Sequence, residues 1–498
     1  MEKRDTQEKK AAADQPSEAM AAVRDEPSGD MAAAADQPSG TRTAVQKPGK
    51  RDLTTGSVTS TMLLFAVPMI LGNVLQQCYN LADTWIVGKF VGAGALAAVG
   101  SAYTLMTFLT SILTGMCMGG GALFSICYGR RDIRKMKEYM VSSFVLILGI
   151  TALLTALSFA FLHQILRLMQ IPSDVYDMMY DYMRIILFGL PFIFLYNYFA
   201  FLLRSVGNSV TPLVFLGVST ALNIGLDYVF VAVFDWNVEG AAIATVLAQI
   251  ISGIGIAGYS FAKEEVLRLK KEELRVNGGL LGEIFSYSAA TGIQQSVMNF
   301  GILMVQGLVN SFGTAVMAAF AAGVKIDTLA YMPAQEFGNA YSIFISQNYG
   351  AGKKDRIRKG SKSAVAVVLA FCLAASAAVF LLARQLMGIF IAPEETEIIR
   401  IGAGYLRIEG ACYCGIGILF LLYGYFRAVE RPKISLLLTI ISLGTRVVLA
   451  YAFAPVFGVG AIWWAIPIGW ALADVTGAVL LNLDLRGSRT IGETSENR

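Results

Sequence analysis

Asp83 and Asp227 both lie in long apolar stretches. An ionised Asp at the centre of a membrane helix costs roughly 2.5–3.5 kcal/mol even on the lenient insertion scale, so such residues need a compensating role. In Leu222-Asn223-Ile224-Gly225-Leu226-Asp227, Asn223 and Asp227 share one helical face. Counted from the entry near Thr211, Asp227 sits about 24 Å along its helix, in the outer half of the membrane. Thr245, about 10 Å inward from the outer start of the next, antiparallel stretch, reaches a similar depth. Asp83 follows Gln76 on one face two turns on, with Pro68 upstream as a kink. Two acids at this depth suit a shared proton, and the oxygens of Asn223 and Thr245 would equally complete the shell of a hard cation.

The elements that must hold these groups are membrane helices. With 55% hydrophobic residues, 15% charged residues and a mean hydropathy of +0.57, the chain is too apolar for a soluble domain of its length. The expected fold is an all-α polytopic membrane protein. Twelve apolar stretches, centred near Leu71, Leu109, Ile150, Ile193, Ala221, Ile250, Val297, Met332, Leu373, Cys412, Ile441 and Gly469, are each long enough to cross about 30 Å of hydrocarbon.

The chain also reads itself twice. Gly92/Gly313, Ala97/Ala318, Ala98/Ala319, Thr107/Thr328, Ser125/Ser346, Tyr128/Tyr349 and Gly129/Gly350 all fall at an offset of 221. Tyr182/Tyr405, Arg184/Arg407 and Arg204/Arg427 follow at 223, and Pro212/Pro432 and Gly240/Gly460 at 220. Six spans return the chain to its starting side, so the two six-helix repeats are parallel, related by an axis along the membrane normal, as in many secondary transporters. The duplication serves as an internal control. The repeat partners of Asp83, Asn223, Asp227 and Thr245 are Met304, Leu443, Val447 and Ala465, all apolar. This one-sidedness predicts a proton or cation site in the N-terminal half.

Basic residues crowd alternate connections, at Arg130, Arg131, Arg134, Lys135 and Lys137, at Lys263 to Arg275, at Lys353 to Lys359, and at Arg427, Arg431 and Lys433. The positive-inside rule then puts both termini in the cytoplasm. The net charge of +4 reflects topology rather than a nucleic-acid partner. The expected organisation is a disordered cytoplasmic tail over 1–52, with an 11-residue repeat marked by Asp14, Asp25 and Asp36, and an N-terminal lobe over 53–262. A cytoplasmic linker over 263–279, whose charged run reads as a short surface helix, a C-terminal lobe over 280–485 and a tail over 486–498 follow. No obligate protein partner is indicated.

Other chemistries are excluded by what is present. The lone histidine, His163, cannot form a histidine relay, and the six cysteines have no paired zinc spacing, so they read as packing residues. Gly253-Ile-Gly255-Ile-Ala-Gly258 matches a dinucleotide fingerprint but lies inside a span, where small residues serve helix packing. There is no nucleotide-binding loop, metalloprotease motif or serine elbow, so the chain is not expected to be an enzyme. Lys325, Asp327, Glu336, Glu409, Arg446 and Asp474 are further intramembrane charges, read mainly as structural pairs, with Glu409 and Arg446 candidates to pair across the C-terminal lobe or to line its cavity.

The run from Val67-Pro68-Met69-Ile70 to Asn80-Leu81-Ala82-Asp83-Thr84, the Asn223/Asp227 pair, Gly240 to Thr245, and Met332-Pro333 leading to Gln347-Asn348-Tyr349-Gly350-Ala351-Gly352 resemble the multidrug and toxic compound extrusion (MATE) family over about residues 55–485. With the acids in the N-terminal half, the chain is more similar to the DinF-like than to the NorM-like branch, and Gln294 and Gln295 stand near where the latter carries an acid. The resemblance implies twelve helices in two six-helix lobes in the cell membrane, for a bacterium the cytoplasmic one. It implies efflux of cationic or amphipathic drugs by antiport with H⁺ or Na⁺, and no organic cofactor. It further implies coupling at Asp83, Asn223, Asp227 and Thr245, which would be the metal ligands if Na⁺ is used, bending at Pro68, and a drug cavity lined by Gln76 and Asn197. A lipid-linked sugar flippase would instead need a markedly cationic cavity, for which Arg446 and Lys325 are the candidates, and a passive channel would leak without coupling.

Overall fold

In hydrocarbon every backbone N–H and C=O must be satisfied within the protein, so long apolar runs become helices. The structure, a computed structural model, describes residues 51–169 and 171–496, with side chains for all of these except Ala93, Ile302, Leu303 and those from 484 on. The expected disordered tail lies outside the described residues except for Arg51 and Asp52. The first half comprises α1 (Val58–Phe90), α2 (Ala93–Gly129), α3 (Ile133–Ala160), α4 (Leu162–Leu168), α5 (Ser173–Ile186), α6 (Leu190–Ser205), α7 (Val210–Asp227) and α8 (Asn237–Lys263). The second comprises α9 (Gly278–Asn310), α10 (Thr314–Gly350), α11 (Lys354–Met387), α12 (Thr396–Gly410), α13 (Tyr413–Ala428), α14 (Pro432–Phe457) and α15 (Val459–Glu496).

The chain is a multi-pass membrane protein. Ten helical segments, with α5 and α6 counted as one through a 3-10 turn, are long and apolar enough to span a bilayer, and α12 and α13, bent by 51°, make an eleventh. The 33-residue α9, packed between α2 and α14, completes twelve. The repeat is visible in the elements themselves: α1 matches α9 at 33 residues and α2 matches α10 at 37, each of the latter pair starting after a left-handed glycine, Gly92 or Gly313.

One difference from expectation stands out. The charged linker is not a short surface helix but two 3-10 turns, Glu265–Leu267 and Lys271–Glu273, because it finds partners on α3: Lys137 Nζ lies 2.9 Å from Glu273, and the Asn277 backbone N–H donates to Ser142 Oγ at 3.0 Å. Residues 486–496 continue α15 in helical form.

Apolar packing forms two cores, one per lobe, but the lobes exchange the beginnings of their first helices. Met62, Phe65, Ala66 and Met69 of α1 belong to the core of the second lobe, whereas Ile86 and Val87 at its other end belong to the first. Reciprocally, Ile284 and Tyr287 of α9 sit in the first core and Val305 and Val309 in the second. α1 and α9 therefore cross from one lobe to the other. At the basic end of the bundle, where α2 and α10 finish, the two helices touch backbone to backbone: a Cβ on Gly129 would collide with the Gln347 carbonyl, and one on its repeat partner Gly350 with the Ile126 carbonyl. Only glycine permits this approach. The would-be nucleotide motif is likewise packing, since side chains at Gly253 and Gly255 would meet Phe192 and Phe215.

Candidate functional site

α7 ends at Asp227 and passes into a π-helical segment, Tyr228–Val233, a distortion that recurs at functional sites. It carries Asp227, which is fully buried, against the far end of α1, where Asp83 is 8% exposed. The two carboxyls face each other within hydrogen-bonding range, so that one proton could bridge them. Thr245 of α8 accepts a hydrogen bond from Asn223 Nδ2 at 3.2 Å and lies 3.3 Å from the Tyr79 hydroxyl. All four residues expected from the sequence are thus brought together. Asp83 Oδ1, both Asp227 carboxylate oxygens and Asn223 Oδ1 are buried with no donor in place. Four buried acceptors left without donors in a low-dielectric interior are costly, and each such group calls for an explanation.

Tyr79 and Tyr182 stand beside this pair and were not read from the sequence as site residues. The signal was present: Tyr79 precedes Asp83 by one helical turn, and Tyr182 has a repeat partner in Tyr405. Tyr405 serves a second acid cluster, in the other lobe. Its hydroxyl reaches Asp327 Oδ2 at 3.5 Å, Asp327 lies within hydrogen-bonding range of Glu409, and Arg446 supplies positive charge nearby. The repeat partners of Asp327, Glu409 and Arg446 are Met106, Ile186 and Leu226, so the control used for the first lobe marks this cluster equally. Lys325 points away, exposed, while Asp327 is buried.

Gln76 is exposed on α1, and Asn197 is half-buried with its amide turned to its own backbone at Ile193. A separate small pocket among helices of the second half has walls that include Gln294, Gln295, Gln335, Asn339, Phe420 and Arg427. The buried Arg427 is held by neutral acceptors, Ser342 Oγ at 3.2 Å, Asn339 Oδ1 at 3.1 Å and Met118 Sδ of the opposite lobe at 2.8 Å. Glu336 accepts from Asn73 across the seam at 3.1 Å, with the positive charges of Arg204 and of its repeat partner Arg427 in its vicinity. Other bonds across the seam, Gln347 to the Ser205 carbonyl at 2.7 Å and Arg130 to Glu430 at 3.1 Å, lie at the basic end. Pro68 sits on α1 among the residues that pack into the second lobe. His163 pairs with Tyr176 at 2.9 Å, away from both acid clusters.

The family model described as MatE matches the chain twice, over residues 68–229 and 290–452. The chain is 29% identical over 410 residues to the probable multidrug resistance protein YpnP of Bacillus subtilis, covering 82% of this chain and 90% of that one. It is 22% identical to the multidrug export protein MepA of Staphylococcus aureus, covering 88% and 96%. Among solved structures, it resembles a MOP superfamily transporter from Pyrococcus furiosus with a TM-score of 0.82 at 22% identity, over 87% of this chain and 97% of that one. For that transporter, reverse polarity of the binding pocket is described as suggesting a different function.

Proposed function

The chain belongs to the MatE family of transporters, and on that premise we propose that it is a secondary active exporter of cationic or amphipathic small molecules in exchange for H⁺ or Na⁺. The basic end faces the cytoplasm, as the positive-inside rule directs, in the cell membrane. Multidrug export is what the names of the related YpnP and MepA state for those proteins. The reading rests on one observation above the rest: two facing buried acids, Asp83 and Asp227, of which Asp83 Oδ1 and both Asp227 oxygens lack donors and which, among the described residues, have no cation set against them.

Exchange follows from linkage. When the coupling ion occupies Asp83 and Asp227, the charge that attracts a cationic drug is neutralised and the drug leaves. When the ion departs on the cytoplasmic side, the attraction returns, and reciprocity lets one gradient drive the other flux. For a proton, one carboxyl donates to the other, with Tyr79 and Tyr182 closing the site. For Na⁺, Asn223 Oδ1 joins the carboxylates as a ligand, with Thr245 beside it. The placement of the acids in the first lobe accords with the DinF-like branch.

The test is drug counterflow in proteoliposomes under separately imposed pH and Na⁺ gradients. Asp227→Asn and Asp83→Asn should each abolish gradient-driven export, by ~100-fold or more in rate, while leaving drug binding measurable. Export by both variants at the wild-type rate would refute the site. A flippase reading has one observation in its favour, the cationic, amide-rich cavity around Arg427. Translocation of a fluorescent lipid-linked pyrophosphate, without drug counterflow, would establish it instead.

A further inference from the structure

Ahead of α1, residues 51–56 lie across the basic end of the bundle, and both lobes hold them. From the second lobe, Asn348 Nδ2 and Arg356 Nε donate to the Leu53 carbonyl at 3.1 and 3.2 Å, and Lys353 Nζ to that of Thr54 at 2.7 Å. Arg356 also donates to the carbonyls of Thr55 at 2.5 Å and Gly56 at 2.6 Å. Leu53, 0% exposed, is sunk in the core of the second lobe. From the first lobe, Asp52 pairs with Arg131 at 3.1 Å and the Arg51 amide donates to the Gly207 carbonyl at 3.0 Å. A side chain at Gly207 would collide with the Arg51 carbonyl, so the segment fits a space that glycine leaves open.

The two attachments are unequal. On the second lobe, charged donors take four consecutive carbonyls and an apolar plug is fully enclosed. On the first lobe there is one backbone bond and one ion pair whose Arg131 side chain is 65% exposed, the kind of pair that holds weakly. Opening the basic end requires the lobes to separate there, because the Gly129/Gly350 crossing and the Gln347–Ser205 bond lie beneath the same segment. The segment cannot keep both attachments as the lobes part.

We propose that Arg51–Gly56 is a strap that belongs to the second lobe and clasps the first, so that the cytoplasmic gate opens only when Asp52 and Arg51 let go of Arg131 and Gly207. The inference rests on the exporter reading, in which the basic end is a gate. The strap also ties the start of α1 to the second lobe while Asp83, at the other end of α1, stays with the first. It therefore sets how readily the gate opens, independently of the ion bound, and gives the N-terminal segment before it a mechanical route to the transporter.

The experiment uses the full chain with its native cysteines replaced and spin labels on Arg134→Cys of α3 and Lys359→Cys of α11, both exposed and on opposite lobes. Distances are measured in liposomes without drug or gradient, so the readout survives even if the coupling acids are misassigned. Asp52→Arg should raise the long-distance, gate-open population about threefold, and adding Arg131→Asp should restore the wild-type distribution, because only the reversed pair can re-form the clasp. Arg131 is exposed and Asp52 half-buried, so the restored distribution in the double variant also controls for folding. Lys353→Gln with Arg356→Gln frees the strap from its own lobe and should also loosen the gate. Wild-type distances in Asp52→Arg and in the Lys353/Arg356 variant would overturn the proposal, as would failure of Arg131→Asp to rescue.

Discussion

Asp327 and Glu409 lie within the field of Arg446, whereas among the described residues Asp83 and Asp227 have no cation set against them. That difference separates their work. An acid cluster with its own arginine can remain charge-compensated without an external ion, and removing one partner leaves an uncompensated buried charge. An acid pair with no such partner must draw its counter-charge from solution. Opposite consequences for stability follow. Arg446→Gln should lower the thermal midpoint of the purified transporter by several degrees, while Asp227→Asn, which removes a buried unpartnered charge, should leave it unchanged or raise it even as transport stops. Thermal unfolding of the two variants in one detergent checks this, and a midpoint for Asp227→Asn as low as that of Arg446→Gln would contradict it. Comparing repeats made the first acid pair legible because its partners were all apolar. The same comparison run in reverse, from Met106, Ile186 and Leu226, points to the second cluster. Tyr79 and Tyr182 stayed hidden because a tyrosine in an apolar span reads as packing until the acid beside it is known.

At the scale of elements, hydrophobic length anticipated all twelve spans, since a helix that crosses hydrocarbon is obliged to be long and apolar. Local composition failed where tertiary partners decided the outcome. The linker took 3-10 turns to reach Lys137, and Arg51 and Asp52, read as the last residues of a loose tail, are docked together with the residues that follow, because Leu53 is buried and the carbonyls there have donors. The strap also bears on pH. Partial burial works to raise the Asp52 carboxyl, but hydrogen bonds from Thr54 and the Arg131 charge more than offset it and hold Asp52 below the usual carboxylate range. A depressed folded-state value means that the clasp is fully formed above the ordinary Asp range and is lost only as pH falls through the lower value. Between about pH 5 and 8 the clasp should therefore not titrate. In protein carrying both Asp83→Asn and Asp227→Asn, the spin-label distances across the gate should stay flat over that interval; a gate that still opens with pH would mean another group drives it.

For the whole molecule, the duplication was legible as an offset, and the twofold family match bears it out. The exchange of helix beginnings was not, because a repeat in sequence says which residues are alike and nothing about which half of a crossing helix packs where. Phe65 and Ile86 look equally apolar along α1, yet one completes the core of the second lobe and the other that of the first. Each half thus lends the other a piece of its interior. Cutting the chain in the linker, between Glu264 and Asn277, should yield two fragments that are unstable when expressed singly, each with a hole where the foreign helix belongs. Produced together, they should find one another and regain export, measurable as co-purification on a single affinity tag with drug resistance restored in the host. Accumulation of either fragment alone as a monodisperse, heat-resistant species would show that the loan is not needed. A gene split at this point would behave as an obligate two-subunit machine, its partners bound by mutual incompleteness.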